Sequence, residues 1–378
     1  MVPSIIYNIL LNLKNIPGWR TNRKLIIIEC DDWGSIRMPS KNVFNFLLSA
    51  GFNIGTGLYN RCETLETKED LEELFDVLNS VRDNNNKPAI VTPITCVANP
   101  DFKKIKSAGF TDYYYEKFTD TLESYYPNSN VFKLWKEGFN AGIFIPELHG
   151  REHITVQLWL KKLRDGNKDL LTAFDHGFVS LDIPDIPTPA REFRAEFYFN
   201  SEDQKPFLIN GIKESVTLFK DIFGYLPRVF VPSNGIFHPE FDAVVSASGI
   251  KFLFVSHSMP YPVNGGSLRN RYFINGQRGP EGLIYYTRNC AFEPNDIGYK
   301  GIEMTIKQIE AAFRWRKPAI ISTHRGNFSG GIDQNNRKKG LSELKKLLKN
   351  ITKRWPDAEF ISSGDAFEQM KKQIKSGI

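Results

Sequence analysis

Three short stretches of this chain hold residues whose types and spacing could do chemistry together. Asp31-Asp32 are adjacent carboxylates, and two like charges so close resist ionising at once. A bound cation removes that conflict, with one carboxylate as ligand and the other left as a base; a turn or helix-cap role is the plainer alternative. His149 and His153 lie four residues apart, which on a helical turn puts both rings on one face, close enough to share a metal. Asp32, His149 and His153 would form a two-histidine, one-carboxylate set with open positions. Such a set suits zinc first and other divalent first-row metals as well. His324, followed by Arg325-Gly326-Asn327, is placed to move a proton.

A competing pattern overlaps the histidine pair. His149-Gly150-Arg151-Glu152-His153 satisfies the H-x-x-E-H form of inverted zinc peptidases, with Glu152 as base. That reading needs one continuous helix, and Gly150 disfavours a helix interior by about 1 kcal/mol. His176, His238 and His257 lack such company and read as structural.

The elements around these residues explain why they matter. Each group ends an apolar run: Leu25 to Cys30 before Asp31, Ile143 to Leu148 before His149, and Ala319 to Thr323 before His324. A fourth run, Val229 to Pro232, ends in Ser233-Asn234-Gly235. Strands are expected near 24–30, 87–95, 142–148, 227–233, 251–256, 282–287, 318–323 and 358–363. Helical periodicity falls at 68–84, 154–164, 210–223, 239–248, 302–316 and 341–354. The alternation predicts an α/β fold with a parallel sheet or barrel, whose strand ends are where such barrels carry their chemistry.

Composition narrows the class. The chain has 378 residues, 41% hydrophobic and 24% charged, as in a folded globular protein. Aromatics make up 13%, with 29 Phe and 14 Tyr, which suits a thick core or stacking against sugars. The net charge of +6 is thinly spread, and Lys345-Lys346 and Lys371-Lys372 read as solvated helix faces, so no nucleic-acid partner is expected. Cys30, Cys62, Cys96 and Cys290 form no CxxC pair and read as reduced thiols of a cytoplasmic protein. Ile5 to Leu13 is too short to span a bilayer and lacks signal-peptide features. It reads as an amphipathic segment, within residues 1–23, that packs on the domain or touches a membrane surface. Residues 24–370 are expected to form a single domain with insertions near 98–140 and 176–206.

With these residues in hand, the chain resembles the polysaccharide deacetylase family, metal-dependent carbohydrate esterases with a NodB-like homology domain. Glu29-Cys30-Asp31-Asp32-Trp33-Gly34 resembles that family's first motif, Thr-Phe-Asp-Asp-Gly-Pro. His149 and His153 match the two metal histidines of the second. Phe230-Val231-Pro232-Ser233-Asn234-Gly235, led in by Gly224-Tyr225-Leu226-Pro227, resembles the third, and Ile320-Ile321-Ser322-Thr323-His324 the last. The resemblance spans roughly residues 24–370. It implies a distorted parallel (β/α) barrel and hydrolysis of an N- or O-acetyl group on a sugar. Asp31 would be the general base, Asp32, His149 and His153 the ligands of a divalent metal, and His324 the general acid. Pro232, Ser233 and Asn234 would bind substrate and its oxyanion, and an acetylated carbohydrate would be the partner.

The chain departs from that pattern where the third motif carries an Arg that braces the catalytic Asp. That position falls on Phe230 or Val231 here, so Arg37, Arg151 or Arg325 is expected to fill the vacancy. Gly150 replaces a Ser or Thr after the first metal histidine, and the interval from Asp32 to His149 is long. Two other readings stay open: a non-catalytic carbohydrate-binding barrel, and a deacylase or deformylase of a small or nucleotide-linked sugar amide.

Overall fold

The computed structural model describes residues 4–55 and 57–376, with side chains from 6 to 374 outside Thr56. Its centre is β1 (Lys24–Trp33), buried at every position after Lys24. That burial explains the unbroken apolar run, because a parallel strand with both faces covered has no polar side to show. Leu25 and Ile27 point inward, to a cluster with Ile94, Val229, Phe252 and Ile320. Ile26, Ile28 and Cys30 point outward, beneath the helices.

The other barrel strands are β2 (Val91–Cys96), β3 (Glu147–Gly150), β4 (Val229–Phe230), β5 (Phe252–Phe254), β6 (Ile284–Tyr286), β7 (Cys290–Ala291) and β8 (Ala319–His324). They hydrogen-bond in the order β6-β5-β4-β3-β2-β1-β8-β7, every pair parallel. A further strand, β9 (Ala358–Phe360), pairs with the start of β1. The edge strands β6 and β7 are consecutive in the chain, so residues 287–289 carry it across the open seam. The fold is a distorted parallel (β/α) barrel, as the alternation of elements predicts.

The outer layer comes from amphipathic helices. In α1 (Ser4–Leu13), Asn12 accepts hydrogen bonds from Arg314 and Trp315, which ties the segment to the end of a later helix. Residues 1–3 of the expected N-terminal segment lie outside the described residues. Helix α2 (Lys68–Asn79) starts in a capping box between Thr67 and Asp70 and buries Leu71, Leu74 and Leu78, one stripe of a 3.6-residue period. Helix α3 (Lys205–Phe223) stops at Gly224, whose φ of 81° ends it in the left-handed region. Helices α4 (Ile302–Arg314) and α5 (Gln334–Arg354) complete the shell over β1 and β8, while α6 (Ser363–Ser376) brings Phe367 and Met370 to the inner cluster.

Some boundaries differ from the expected ones for clear reasons. The run from 142 becomes a strand only at Glu147, because Pro146 has no N–H to give the ladder. Phe144 makes only an isolated bridge to Val91. Strand β7 and two hairpins, Ala98–Pro100 with Tyr115–Lys117 and Ser258–Pro262 with Leu268–Tyr272, are too short to show a period. Residues 177–201 form neither helix nor strand. The four cysteines are free and buried, and no helix among the described residues is long and apolar enough to cross a membrane.

Candidate active site

Strict alternation along β1 would send Asp32 outward with Ile28 and Cys30. The backbone prevents this. Asp32 has φ 73°, and the pairing with β2 shifts register between Cys30 and Trp33. Asp31 and Asp32 therefore both reach one cavity of about 620 Å³ at the C-terminal ends of the strands.

Asp32 Oδ1 lies 3.2 Å from Nε2 of His149 and 3.2 Å from Nε2 of His153. Ligand atoms of the three side chains all fall within 4.8 Å of one another, and all three residues are buried. His149 Nδ1 donates to the Val231 carbonyl at 2.7 Å, which turns Nε2 toward Asp32. Burial pushes His153 down, and the charge of Arg194 pushes it further, to about 3, so its ring is neutral. Burial opposes the charge on Asp32, yet His153 and His149 hold its carboxyl well below the usual range. A carboxylate and two imidazoles with converging ring nitrogens are a donor set that fits a divalent first-row cation.

The expected helical turn is absent. His149 is the penultimate residue of β3 and His153 sits in an irregular turn, the next helix starting only at Val156. Val97 N–H on the Gly150 carbonyl and Ala98 N–H on that of Arg151 keep the segment extended, and Gly150 has φ 139°. The inverted-peptidase arrangement fails with it: Glu152 turns to Arg151, at 2.6 and 2.9 Å.

Asp31 is held by an arginine that the sequence does not single out. Arg288 donates from Nη1 to Asp31 Oδ2 at 2.6 Å and from Nη2 to Oδ1 at 2.7 Å. Its Nε donates to Glu29 Oε2 at 2.6 Å, and its guanidinium lies 4.6 Å from the centre of the Phe254 ring. Burial alone would raise Asp31; Arg288 outweighs it and holds the carboxyl below its ordinary value. The three arginines expected in this role are elsewhere. Arg37 pairs with Glu192, Arg151 with Glu152 and Glu214, and Arg325 with Glu66 and Glu63. Arg288 lies in the link from β6 to β7, so only the closing of the barrel brings it to β1.

Across the cavity, His324 Nε2 is 3.9 Å from Asp31 Oδ2, and its Nδ1 is 2.7 Å from Glu293 Oε1. Asn327 Nδ2 donates to the other Glu293 oxygen at 2.6 Å. Burial works against the charged ring, but Glu293 outweighs it and lifts His324 to about 10. Glu293 is a second residue without a sequence signal, since it follows strand β7. The remaining histidines stay outside the cavity: His176 stacks on Phe46, His238 lies among Phe199, Phe241 and Tyr261, and His257 bonds the Phe273 carbonyl.

At the fourth strand end, Pro232 and Asn234 line the cavity, whereas Ser233 is fully buried and its Oγ accepts from the Glu196 N–H. Phe230, at one of the vacant Arg positions, packs outward against Phe197 and Phe237. The cavity's aromatic lining is Tyr59 and Phe254. Its outer wall comes from the irregular 177–201 segment, through Asp182, Arg191, Glu192 and Arg194.

No protein-family model matches the chain, and no curated protein sequence matches it either. Among solved structures it is similar to the 4-alpha-glucanotransferase from Thermococcus litoralis, at 13% identity and TM-score 0.46, over 92% of this chain and 40% of that one. The chain thus spans less than half the length of that protein. It is also similar to the peptidoglycan deacetylase PdaC from Bacillus subtilis, at 10% identity and TM-score 0.39, over 94% and 95% of the two chains. Puue allantoinase aligns at 10% identity and TM-score 0.43, over 95% and 94%.

Proposed function

We propose that this chain is a metal-dependent hydrolase of the polysaccharide deacetylase kind, which removes an N- or O-linked acetyl group from a sugar or polysaccharide. The observation that carries the reading is the single cavity in which Asp32, His149 and His153 converge, flanked by Asp31 and His324. Asp32, His149 and His153 would hold a divalent cation, zinc by its donor set. That ion, when bound, supplies Lewis acidity toward a carbonyl oxygen and toward water.

The chain's own residues do the rest. Asp31, ionised and fixed by Arg288, takes the proton of the attacking water from a carboxylate that still has a free lone pair on each oxygen. His324, protonated through its pairing with Glu293, gives a proton to the departing amine or alkoxide. A backbone N–H of the Pro232–Asn234 turn would serve the developing oxyanion. Tyr59 and Phe254 give the cavity an aromatic lining for a sugar.

Arg288 on Asp31 speaks against the non-catalytic reading, because it supplies the guanidinium that the third motif lacks here. The test is release of acetate, or formate, from free, polymeric and nucleotide-linked acylated sugars by the metal-loaded protein. Turnover of at least one class supports the reading. Release from none of them by fully loaded protein rejects it.

A further inference from the structure

Four arginines line the cavity, and three of them have carboxylate partners. Arg288 holds Asp31 and Glu29, Arg37 holds Glu192 at 2.9 Å, and Arg191 holds Asp182 at 2.8 Å. Arg194 differs. It is only 2% exposed, and among the described residues no carboxylate is in ion-pair contact with it. It donates to neutral oxygens alone, from Nη2 to Ser35 Oγ at 3.1 Å and from Nη1 to the Ile36 carbonyl at 3.4 Å, while its buried Nε has no partner among the described residues.

A buried cation without a counter-charge is strongly unfavourable, and the neighbouring guanidinium of Arg37 makes it more so. Asp32 and Glu63 act on Arg194 without ion-pair contact, and Glu63 already pairs with Arg325 at 3.3 Å. Asp32 is already shared between His149 and His153, and a cation held by those three would absorb its charge. The side of the cavity next to the ligand cluster therefore carries positive charge that the chain itself does not neutralise. A planar guanidinium matches the two oxygens of a carboxylate or a phosphate.

We propose that Arg194 is the anion subsite of this cavity, so that the sugar it acts on carries a carboxylate or phosphate group. The chemistry of the reaction rests on the deacetylase reading; the recognition of the anion does not. Calorimetric titration should therefore use glucose, glucuronate and glucose 6-phosphate, against both metal-free and zinc-loaded protein. The wild type should bind one or both anionic sugars at least about 10-fold more tightly than glucose, the size expected of a charge-assisted contact. Arg194→Gln should erase that preference, and Arg194→Lys should retain part of it.

The carboxylate and phosphate arms identify which anion is used, and a preference in either supports the subsite. Equal binding of neutral and anionic sugars by the wild type overturns it, whether or not the variants fold. So does an anion preference that survives Arg194→Gln but disappears on removal of the metal, because the anion then sits on the ion. In turnover, the wild type should favour N-acetylglucosamine 6-phosphate or N-acetylglucosaminuronate over N-acetylglucosamine by a similar factor. Equal turnover of all three leaves the deacetylase reading standing and removes the anion subsite. Anion preference in binding without acetate release from any substrate does the reverse.

Discussion

Arg288 grips both oxygens of Asp31, at 2.6 and 2.7 Å, from the link that crosses the seam of the barrel, while its Nε holds Glu29 at 2.6 Å. Two inward carboxylates of β1 thus share one guanidinium, and the link between the edge strands is tied to the central one. Arg288→Met should leave both carboxylates buried without their cation, a loss of about 3–5 kcal/mol in stability. Arg288→Lys should recover only part of it, because a point charge cannot serve Nε and both Nη positions at once. Chemical denaturation of the two variants checks this; wild-type stability in Arg288→Met would contradict it.

Asp31 and the ligand cluster should separate by mutation. His149→Ala removes one of three ligands, so elemental analysis of the purified variant should find the metal lost. Asp31→Asn should keep the metal and lower turnover by roughly 10²–10⁴-fold, the range of a general base. Full activity in Asp31→Asn would mean that another group takes the proton.

The pairing of His324 with Glu293 predicts a pH dependence. With Asp31 held low and His324 raised to about 10, turnover should form a broad plateau whose alkaline limb lies near pH 10. Glu293→Gln removes the raising charge, and the limb should fall toward the ordinary histidine value of about 6.5. The same pairing stabilises the fold in full below about 6.5, where the ring is protonated folded or unfolded. That contribution is lost as pH rises through about 10. An alkaline limb that stays put in Glu293→Gln would remove His324 as the acid.

Gly340 lies inside α5, where alanine would ordinarily stabilise a helix by about 1 kcal/mol. Here a Cβ would fall on the carbonyl oxygen of Asn327. Asn327 is the residue that holds Glu293 at 2.6 Å and donates to the His324 carbonyl at 3.1 Å. Gly340→Ala should therefore destabilise by about 1–3 kcal/mol, as overpacking does, and lower turnover as well. A thermal melt showing a more stable protein would refute the close approach.

What could be read from the chain follows from how a parallel barrel is built. Its strands are continuous apolar runs, so the polar residues that end them stand out, as Asp31, Asp32, His149 and His324 do, while His153 stands out by its spacing from His149. The histidine pair was legible in composition but not in conformation, because pairing of Leu148 and Gly150 to neighbouring strands overrides the four-residue helical spacing. Arg288 and Glu293 were not legible at all. They flank a two-residue strand, with no period to mark it, and Arg288 meets Asp31 across 257 residues only when the barrel closes. Arg194 lies in an irregular segment, where nothing local indicates which way a side chain points.

The most direct test of the account is acetate release from acylated sugars by protein stripped of metal with a chelator and then reloaded with zinc. The account predicts that stripping abolishes release and that one equivalent of zinc per chain restores it, in the wild type but not in His149→Ala. Undiminished release from the stripped protein would contradict it.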